Sequence, residues 1–290
     1  MTLGGIWLPI VTPFLNGEVD YDSYGKLIQH YLDQGISGLI PMGTTGESPV
    51  ITDDEYEGIL DATVAAVAGR VPVYAGLGGN HTDSVLKKAK VAEKYGIDGI
   101  LSVCPYYSRP GQEGLTRHFM AVSEATDLNI VIYNIPYRTG VNMTNETLFR
   151  LGEQENVVGV KDACGDIRQS LDLLNEKPEG FSVMTGEDLL LFTTLAHGGD
   201  GGILASAHLQ TDRFVAIHRL MTVNDHQGAL EIWKTLQPWI PLLFAEPNPA
   251  PLKYLLARMG RIASAEVRLP LTEISTLLQR RLNETLAGIH

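Results

Sequence analysis

The stretch NVVGVKDA, residues 156–163, is a nearly continuous apolar run that ends in a lysine and an aspartate. A strand with one solvated face alternates apolar and polar residues, whereas a parallel strand covered on both faces is apolar throughout. The run therefore predicts a buried parallel strand. It also raises the question of why Lys161 stands where an ammonium group is costly to hold away from water.

Seven further segments share this apolar character, and helical patterns alternate with them along the chain. They are IWLPIVTPF (6–14), GLIPMGT (38–44), VPVYAGLG (71–78), GILSVCPYY (99–107), NIVIYNIP (129–136), FSVMTGE (181–187) and GGILASA (201–207). Eight strands separated by helices predict an α/β fold, and a (β/α)8 TIM barrel is its natural closure. A doubly wound open sheet is the structural alternative, although no G-x-G-x-x-G follows an early strand.

Helix boundaries can be predicted from one capping motif and from three similar segments, here called echoes, in which a glycine and a short polar step precede an apolar run. The segments QGISGLIPM (34–42), YGIDGILSV (95–103) and HGGDGGILA (197–205) each indicate a helix stopped by a glycine and followed directly by a strand. DSYGKLIQHYLDQG (22–35) has the spacing of an amphipathic helix, and TDDE (52–55) is a capping box that opens a helix running toward Gly69.

Strand signals stop after about residue 208, and helical segments take over. These segments are DHQGALEIWKTLQ (225–237), APLKYLLARMG (250–260) and LTEISTLLQRRLNETLAG (271–288). We predict a barrel over residues 1–224 that carries the active site and a C-terminal helical region over residues 225–290. No linker rich in serine or glycine separates the two, so we expect the second to pack directly on the first.

Composition excludes several classes of function. A net charge of −12 over 290 residues is unlike the basic field that nucleic-acid binding requires. No apolar run approaches the ~20 residues of a spanning helix, and the N-terminus lacks the basic segment of a signal peptide. Two cysteines, Cys104 and Cys164, are too few for a disulfide framework. We expect a cytoplasmic protein that acts on small molecules, with no nucleic-acid or membrane partner.

Lys161 is the one lysine of nine that falls on a predicted barrel strand. Desolvation penalises a charged amine, and the neutral amine can attack a carbonyl to form a Schiff base. The alternative is a structural ion pair with Asp162 or with a carboxylate of a neighbouring strand. Asp162 is a poor partner because adjacent strand residues point to opposite faces. Both interpretations fit the position alone.

Other polar groups follow strand ends, where barrel enzymes place their reacting groups. They are Thr44, Thr45, Tyr106, Tyr107, Tyr133, Arg138 and Glu187. Tyr133 lies on the strand before the lysine strand, and a phenol near an amine can shuttle the protons of imine formation. The segment GTTGE (43–47) offers hydroxyls and backbone N–H groups to a carboxylate. Arg138 could bind a second carboxylate through two parallel N–H groups. No metal motif such as H-E-x-x-H occurs.

Six motifs together resemble the dihydrodipicolinate synthase and N-acetylneuraminate lyase superfamily of class I aldolases. They are GTTGES (43–48), PYYSRPGQEGL (105–115), YNIPYRTG (133–140), GVKDACGD (159–166), TGED (185–188) and EPNPAPLK (246–253). The resemblance runs from about residue 3 to about residue 275 with the superfamily's spacing. Arg138 and the E-P-N-P segment make the chain most similar to the dihydrodipicolinate synthases, since the sugar-acid lyases generally lack both.

This resemblance implies an activity and a role for each residue. The implied reaction condenses pyruvate with L-aspartate 4-semialdehyde, on the route to diaminopimelate and lysine, through a covalent imine between Lys161 and pyruvate and without a metal or cofactor. The implied catalytic residues are Lys161, Tyr133, Thr44 and Tyr107, and the implied substrate-binding residues are Thr45, Arg138, Gly186 and Ile203. Tyr107 would reach in from a neighbouring subunit of a homotetramer built as a dimer of dimers.

Two departures from the synthase pattern leave the acceptor open. Asp162 and Cys164 stand where many synthases have glutamate and threonine, and the aspartate is also common among sugar-acid aldolases. The second hypothesis is therefore a pyruvate-dependent aldolase acting on a sugar acid such as 2-keto-3-deoxygluconate or N-acetylneuraminate. A third, of another class, is a non-catalytic barrel that senses keto acids or amino acids.

A regulatory pocket at the dimer interface is also implied by the resemblance. Ser48, Asn80 and Tyr106 match the pocket of lysine-sensitive members. Other positions replace several of its usual ligands, namely Pro49, Asp53, Tyr56 and Ser84. We therefore expect weak or absent inhibition by lysine.

Overall fold

Ten β-strands alternate with helices in the computed structural model, which describes residues 3–287. The strands are β1 (Gly5–Leu8), β2 (Phe14–Leu15), β3 (Glu18–Val19), β4 (Gly38–Leu39), β5 (Tyr74–Gly76), β6 (Gly99–Val103), β7 (Asn129–Asn134), β8 (Val157–Asp162), β9 (Ser182–Thr185) and β10 (Gly201–Ile203). β2 and β3 form an antiparallel hairpin, and the other eight form one parallel sheet. The eight parallel strands occupy the eight predicted apolar runs.

The sheet closes on itself as a barrel. Its strand order is β4-β1-β10-β9-β8-β7-β6-β5, and a parallel bridge between Leu39 and Val73 joins the two end strands. Two backbone hydrogen bonds support this seam: Leu39 N donates to Pro72 O at 3.0 Å and Gly76 N donates to Pro41 O at 2.8 Å. The predicted (β/α)8 barrel is confirmed, and the open doubly wound sheet is not.

Apolar residues cover both faces of the strands, as parallel strands require. Ile130 and Ile132 of β7 belong to the large core between the sheet and the helices. Val131 and Tyr133, which alternate with them, belong to a second apolar cluster that fills the barrel interior. The alternation therefore sends every second side chain of these strands into the barrel.

The strands are shorter than the apolar runs that predict them. β1 ends at Leu8, before Pro9, and β4 ends at Leu39, before Pro41. Proline has no N–H to donate to a sheet, so the regular ladder stops there although the apolar run continues. Single bonds persist beyond it: Ile10 N donates to Ile40 O at 3.1 Å, and Gly76 N donates to Pro41 O at 2.8 Å. The rest of each run becomes the loop that carries polar groups above the strand.

Twelve helices surround and extend the barrel in the described part of the chain. They are α1 (Tyr21–Asp33), α2 (Asp53–Val67), α3 (Thr82–Ala92), α4 (Gln112–Ala125), α5 (Pro136–Thr139), α6 (Asn145–Leu151), α7 (Ile167–Glu176), α8 (Leu191–Ala196), α9 (Thr211–Thr222), α10 (His226–Leu236), α11 (Ala250–Arg258) and α12 (Thr276–Ala287). The predicted capping box of Thr52 and Glu55 opens α2. The three echo glycines, Gly35, Gly96 and Gly198, have positive φ at the helix ends, as predicted.

The C-terminal helices pack on the barrel and on one another. α10 packs against α8 and α9, and α11 packs against α12, whose Leu278 and Leu282 are buried. The predicted boundary at residues 224 and 225 falls in the turn between α9 and α10. Residues 288–290 of that predicted region lie outside the described residues. Within residues 3–287, no helix has the length and apolarity needed to cross a membrane.

Candidate active site

Lys161 and Tyr133 lie side by side in the barrel interior. They are paired in register on the neighbouring strands β8 and β7, so their side chains project to the same face. The Lys161 Nζ lies 4.2 Å from the centroid of the Tyr133 ring. Both side chains are only 6% exposed. The predicted neighbourhood of the amine and the phenol is confirmed.

The Lys161 amine has an unusual environment for a charged group. Burial lowers its pKa, the carboxylates of Asp188 and Glu187 oppose this change and Arg138 adds to it, so that the pKa is about 8. Among residues 3–285, the ion pairs do not include Lys161. With a pKa of about 8, about a tenth of the amine is neutral at pH 7, and the neutral amine is the form that attacks a carbonyl.

Asp162, the adjacent carboxylate, points away from Lys161. Its Oδ2 accepts a hydrogen bond from Ser170 Oγ of α7 at 2.5 Å, and its Oδ1 accepts one from Cys164 N at 3.1 Å. The side chain thus anchors the helix that follows the strand. The ion-pair interpretation of Lys161 with Asp162 is wrong for the geometric reason expected.

Asp188 is a buried carboxylate of the site that the sequence analysis did not single out. Its Oδ1 accepts a hydrogen bond from Ser206 N at 2.6 Å, which ties the turn after β9 to the turn after β10. Burial raises its pKa, and Lys161 counteracts that rise. The half-buried Glu187 has a pKa raised by burial and by Asp188. The motif TGED was a signal for this pair, but its sequence does not say which acid is buried.

Gly186 and Ile203 shape the space around the amine. A Cβ at position 186 would lie 2.7 Å from Lys161 Cε, so any side chain there would displace the lysine. Ile203, 2% exposed, belongs to the same interior cluster as Tyr133. Both therefore lie where the resemblance implies a small pyruvate pocket.

The segment Gly43–Ser48, here called the threonine loop, follows β4. Gly46 N and Ser48 N both donate to Gly43 O, at 3.1 and 3.4 Å, which confirms a tight turn. The turn does not take its left-handed backbone from glycine: Met42 and Glu47 have φ of +55° instead. The segment is therefore held in a conformation that its own residues do not favour.

The threonines of this loop have different surroundings. Thr44 is partly exposed and lines a cleft of about 520 Å³ together with Tyr133 and Arg138, here called the threonine cleft. Thr45 is buried, and its Oγ1 accepts a hydrogen bond from Asn248 Nδ2 at 3.1 Å. A cleft of this volume is of the size that binds small molecules.

A second cleft of about 910 Å³, here called the acidic cleft, is lined by Gly186, Glu187 and Asp188 on one side. Arg138 and Asn248 line both clefts and so mark where they meet. Arg138 sits exposed on the short helix α5, and its Nε donates to Tyr137 Oη at 3.3 Å. Its guanidinium is therefore free to turn toward a carboxylate in either cleft.

Two of the predicted residues, Tyr107 and Asn80, are exposed and line neither cleft. Tyr107 is 89% exposed with φ of +70° and lines neither cleft within one chain. Asn80 is exposed and also lies outside both clefts, whereas Ser48 and Tyr106 line the threonine cleft. Tyr107 is thus not brought to Lys161 by the fold of a single chain.

The cysteines do not compete for the chemistry. Burial raises the pKa of the Cys104 thiol to about 12 and that of Cys164 to about 11. Both therefore stay protonated near neutral pH, and a thiol is a weak nucleophile. Within residues 3–285, no cluster of three His, Cys, Asp or Glu side chains has a metal-binding arrangement.

Comparison with known proteins identifies what this chain is similar to. The family model of the dihydrodipicolinate synthetase family matches residues 2–289. A protein of Clostridium acetobutylicum named 4-hydroxy-tetrahydrodipicolinate synthase 2 is 52% identical over 286 residues, covering 99% of this chain and 100% of that protein.

Two solved structures have nearly the same fold. The dihydrodipicolinate synthase of Thermotoga maritima has a TM-score of 0.97 at 40% identity, with 99% of both chains covered. The chloride-inhibited dihydrodipicolinate synthase of Acinetobacter baumannii, complexed with pyruvate, has a TM-score of 0.96 at 34% identity, with 100% of both chains covered.

Proposed function

Because this chain belongs to the dihydrodipicolinate synthetase family, we propose that it condenses pyruvate with L-aspartate 4-semialdehyde to 4-hydroxy-tetrahydrodipicolinate in lysine and diaminopimelate biosynthesis. The observation that carries the proposal is the buried Lys161 amine, which lies over Tyr133 and whose pKa is lowered to about 8. A lysine of this kind serves a Schiff-base mechanism better than it serves stability.

The reaction begins with attack of the neutral Lys161 amine on the keto carbon of pyruvate. The carbinolamine that forms loses water to give an imine, and Tyr133 transfers the protons between nitrogen and oxygen. The protonated imine withdraws electrons, so the former methyl group loses a proton and becomes an enamine carbon. That carbon attacks the aldehyde, whose oxygen takes up a proton and becomes the 4-hydroxyl group. The amino group of the former semialdehyde then attacks the imine carbon, closes the ring as a cyclic imine and displaces the Lys161 amine. No cofactor is needed, because the imine itself is the electron sink.

The remaining residues bind the substrates. Thr44 lines the threonine cleft beside Tyr133 and can extend its proton relay. The buried Thr45, next to it in the threonine loop, holds the pyruvate carboxylate. Gly186 and Ile203 leave room for the small keto acid. Arg138, at the junction of the two clefts, binds the carboxylate of the incoming semialdehyde.

The quaternary state and the cellular location extend this proposal. We propose a homotetramer, a dimer of dimers, in which the exposed Tyr107 of one subunit completes the proton relay of its neighbour. Light scattering tests it: full activity of a monomer would remove the shared site. A cytoplasmic location agrees with the two free cysteines.

The first experiment measures pyruvate consumption without added metal. The acceptors are L-aspartate 4-semialdehyde, a panel of sugar aldehydes and N-acetylmannosamine. We expect turnover with the semialdehyde alone. Turnover only with a sugar aldehyde would keep Lys161 and Tyr133 in place but would overturn the acceptor, and no turnover with any aldehyde would favour the sensing barrel.

Arg138→Ala tests the acceptor site separately. We expect the KM for the semialdehyde to rise at least about tenfold, because a charge-assisted hydrogen bond is lost. Trapping of the pyruvate imine at Lys161 by borohydride should be unchanged. Arg138→Lys keeps the positive charge but loses the paired N–H donors of the guanidinium. Its KM for the semialdehyde should lie between those of the wild type and the alanine variant. A loss of imine trapping in the alanine variant would place Arg138 at pyruvate instead.

Regulation by lysine is proposed to be weak or absent. Tyr56 lines the threonine cleft with Ser48 and Tyr106, and its buried hydroxyl has no hydrogen-bond partner among the described residues. A phenol in this position fills space without supplying the charge that a lysine ligand needs. Strong inhibition at sub-millimolar lysine in the same assay would overturn this part of the proposal.

A further inference from the structure

A buried ion pair joins the threonine loop to the C-terminal region. Lys253 Nζ of α11 lies 2.8 Å from Glu47 Oε1, and the two side chains are 0% and 1% exposed. The pair joins residues 206 positions apart in the sequence. The Lys253 Nζ also lies 4.2 Å from the centroid of the Phe14 ring, beneath the loop.

Two more contacts connect the same parts of the chain. The second carboxylate oxygen of Glu47, Oε2, accepts a hydrogen bond from Arg268 N at 3.1 Å. Asn248 Nδ2 donates to Thr45 Oγ1 at 3.1 Å. Glu47 is thus bonded through both oxygens, and Thr45 is bonded directly to the E-P-N-P segment.

These contacts oppose a strained backbone. Met42 and Glu47 are non-glycine residues in the left-handed region on either side of the two threonines. Such residues persist only where surrounding structure over-determines them. Without its ion pair, Glu47 would lose the contact that turns its side chain into the protein, and the loop would relax.

We propose that Lys253, Glu47 and Asn248 are positioning residues that hold Thr44 and Thr45 in pyruvate-binding geometry from the C-terminal side. This inference rests on the proposed function, because it assigns the threonines to pyruvate. It makes the C-terminal region part of the active site: α11 does not touch the reacting atoms but sets the loop that does.

A purely structural ion pair is the competing explanation, and the affinity for pyruvate separates the two. A structural role changes stability alone. A positioning role raises the pyruvate concentration that half-saturates imine formation at Lys161, which borohydride trapping and mass spectrometry measure without any acceptor.

The main variants are Asn248→Ala and the double variant Glu47→Gln with Lys253→Met. The double variant leaves no unpaired buried charge and so avoids the large loss of stability expected of either single change. We expect half-saturation by pyruvate to rise at least about tenfold in both, with trapping still complete at saturating pyruvate. The matched control is Lys177→Met with Asp200→Asn, a 2.6 Å pair at the opposite end of the barrel, which should leave half-saturation unchanged.

A double-mutant cycle identifies the route. If Asn248 acts through Thr45, Asn248→Ala should raise the half-saturating pyruvate concentration little further in a protein that already carries Thr45→Val. If the two residues act independently, the fold-changes of the single variants should multiply in the double variant. Folded variants with unchanged half-saturation, or multiplicative effects in the cycle, would overturn the positioning role while leaving the proposed function intact. A wild-type chain that gains no mass from pyruvate would overturn the proposed function and this inference together.

Discussion

Lys161 and Lys253 are two buried lysines that the same chain treats in opposite ways. Each Nζ lies 4.2 Å from the centroid of an aromatic ring, Tyr133 for the first and Phe14 for the second. Burial lowers the pKa of both. The difference is the partner: Glu47 lies 2.8 Å from Lys253, whereas Lys161 has only the more distant carboxylates of Asp188 and Glu187.

This difference separates a lysine suited to fixing structure, Lys253, from a lysine suited to the proposed imine chemistry, Lys161. A buried charge with a close carboxylate and full hydrogen bonding stays charged and rigid. A buried amine without such a partner releases its proton more easily and becomes nucleophilic. Both lysines share burial and an aromatic neighbour, so these features do not distinguish them. Lys161 differs in having no close carboxylate among the described residues, which suits its proposed role.

The largest expected effect is loss of activity when the reactive lysine is removed. Lys161→Ala should lower kcat/KM at least about a thousandfold, since no other amine is placed to form the imine. Borohydride with pyruvate should add mass to the Lys161 peptide of the wild type and none in the variant. The Lys253 peptide of the same digest is the internal control. Labelling of Lys253 would break the comparison.

Removal of the structural lysine should affect stability most. Lys253→Met leaves Glu47 buried without its cation, which should cost about 3–5 kcal/mol of the free energy of unfolding. Urea denaturation measures the loss. The variant that also carries Glu47→Gln should recover most of it, because no unpaired charge remains. A single variant as stable as the double one would contradict the structural role of the pair.

Lys161→Met should stabilise the protein, in contrast to Lys253→Met. The pKa of Lys161 is lowered from 10.5 to about 8 in the folded chain, so the unfolded chain binds more protons between these values. Below about pH 8 the charged Lys161 therefore lowers the free energy of unfolding of the wild type by about 3 kcal/mol. This loss disappears as the pH rises from about 8 to 10.5. Urea denaturation near neutral pH and again above about pH 10 should show the variant's advantage shrinking. An advantage independent of pH would contradict this account.

The smallest expected effect concerns Asp188 and Glu187, the two acids whose charges act on the pKa of Lys161. Asp188→Asn removes the carboxylate that most strongly supports the charge of Lys161, so the pKa of the amine should fall. The pH midpoint of pyruvate trapping should move down by about half to one pH unit. Glu187→Gln should produce a smaller shift in the same direction. A midpoint that stays in place would show that Asp188 does not act on the amine.

The neighbourhood of Lys161 and Tyr133 could be predicted from the sequence because it depends on local pattern. Consecutive apolar runs predicted adjacent parallel strands, and strand periodicity predicted that Lys161 and Asp162 point to opposite faces. Strand ends were less predictable, since an apolar run continues past the proline that ends the ladder, as at Pro9 and Pro41.

Contacts between distant parts of the chain could not be predicted in the same way. The pairing of Glu47 with Lys253 joins residues far apart in sequence, and nothing local distinguishes either from an exposed charge. Asp188 is buried, and the backbone N–H of Ser206, in the turn after the next strand, donates to its carboxylate. In both cases the packing of distant elements decides which charge is removed from water.

The seam between β4 and β5, where the barrel closes, makes the local stability near the site differ from that of the rest of the barrel. β4 and β5 meet through one bridge and two backbone hydrogen bonds, whereas β7 and β8 pair at five positions. Amide exchange in such a structure begins where the fewest bonds must open. Three residues lie between β4 and the threonine loop, so opening of the seam releases the start of this loop. Heating should therefore remove the activity before the barrel as a whole unfolds.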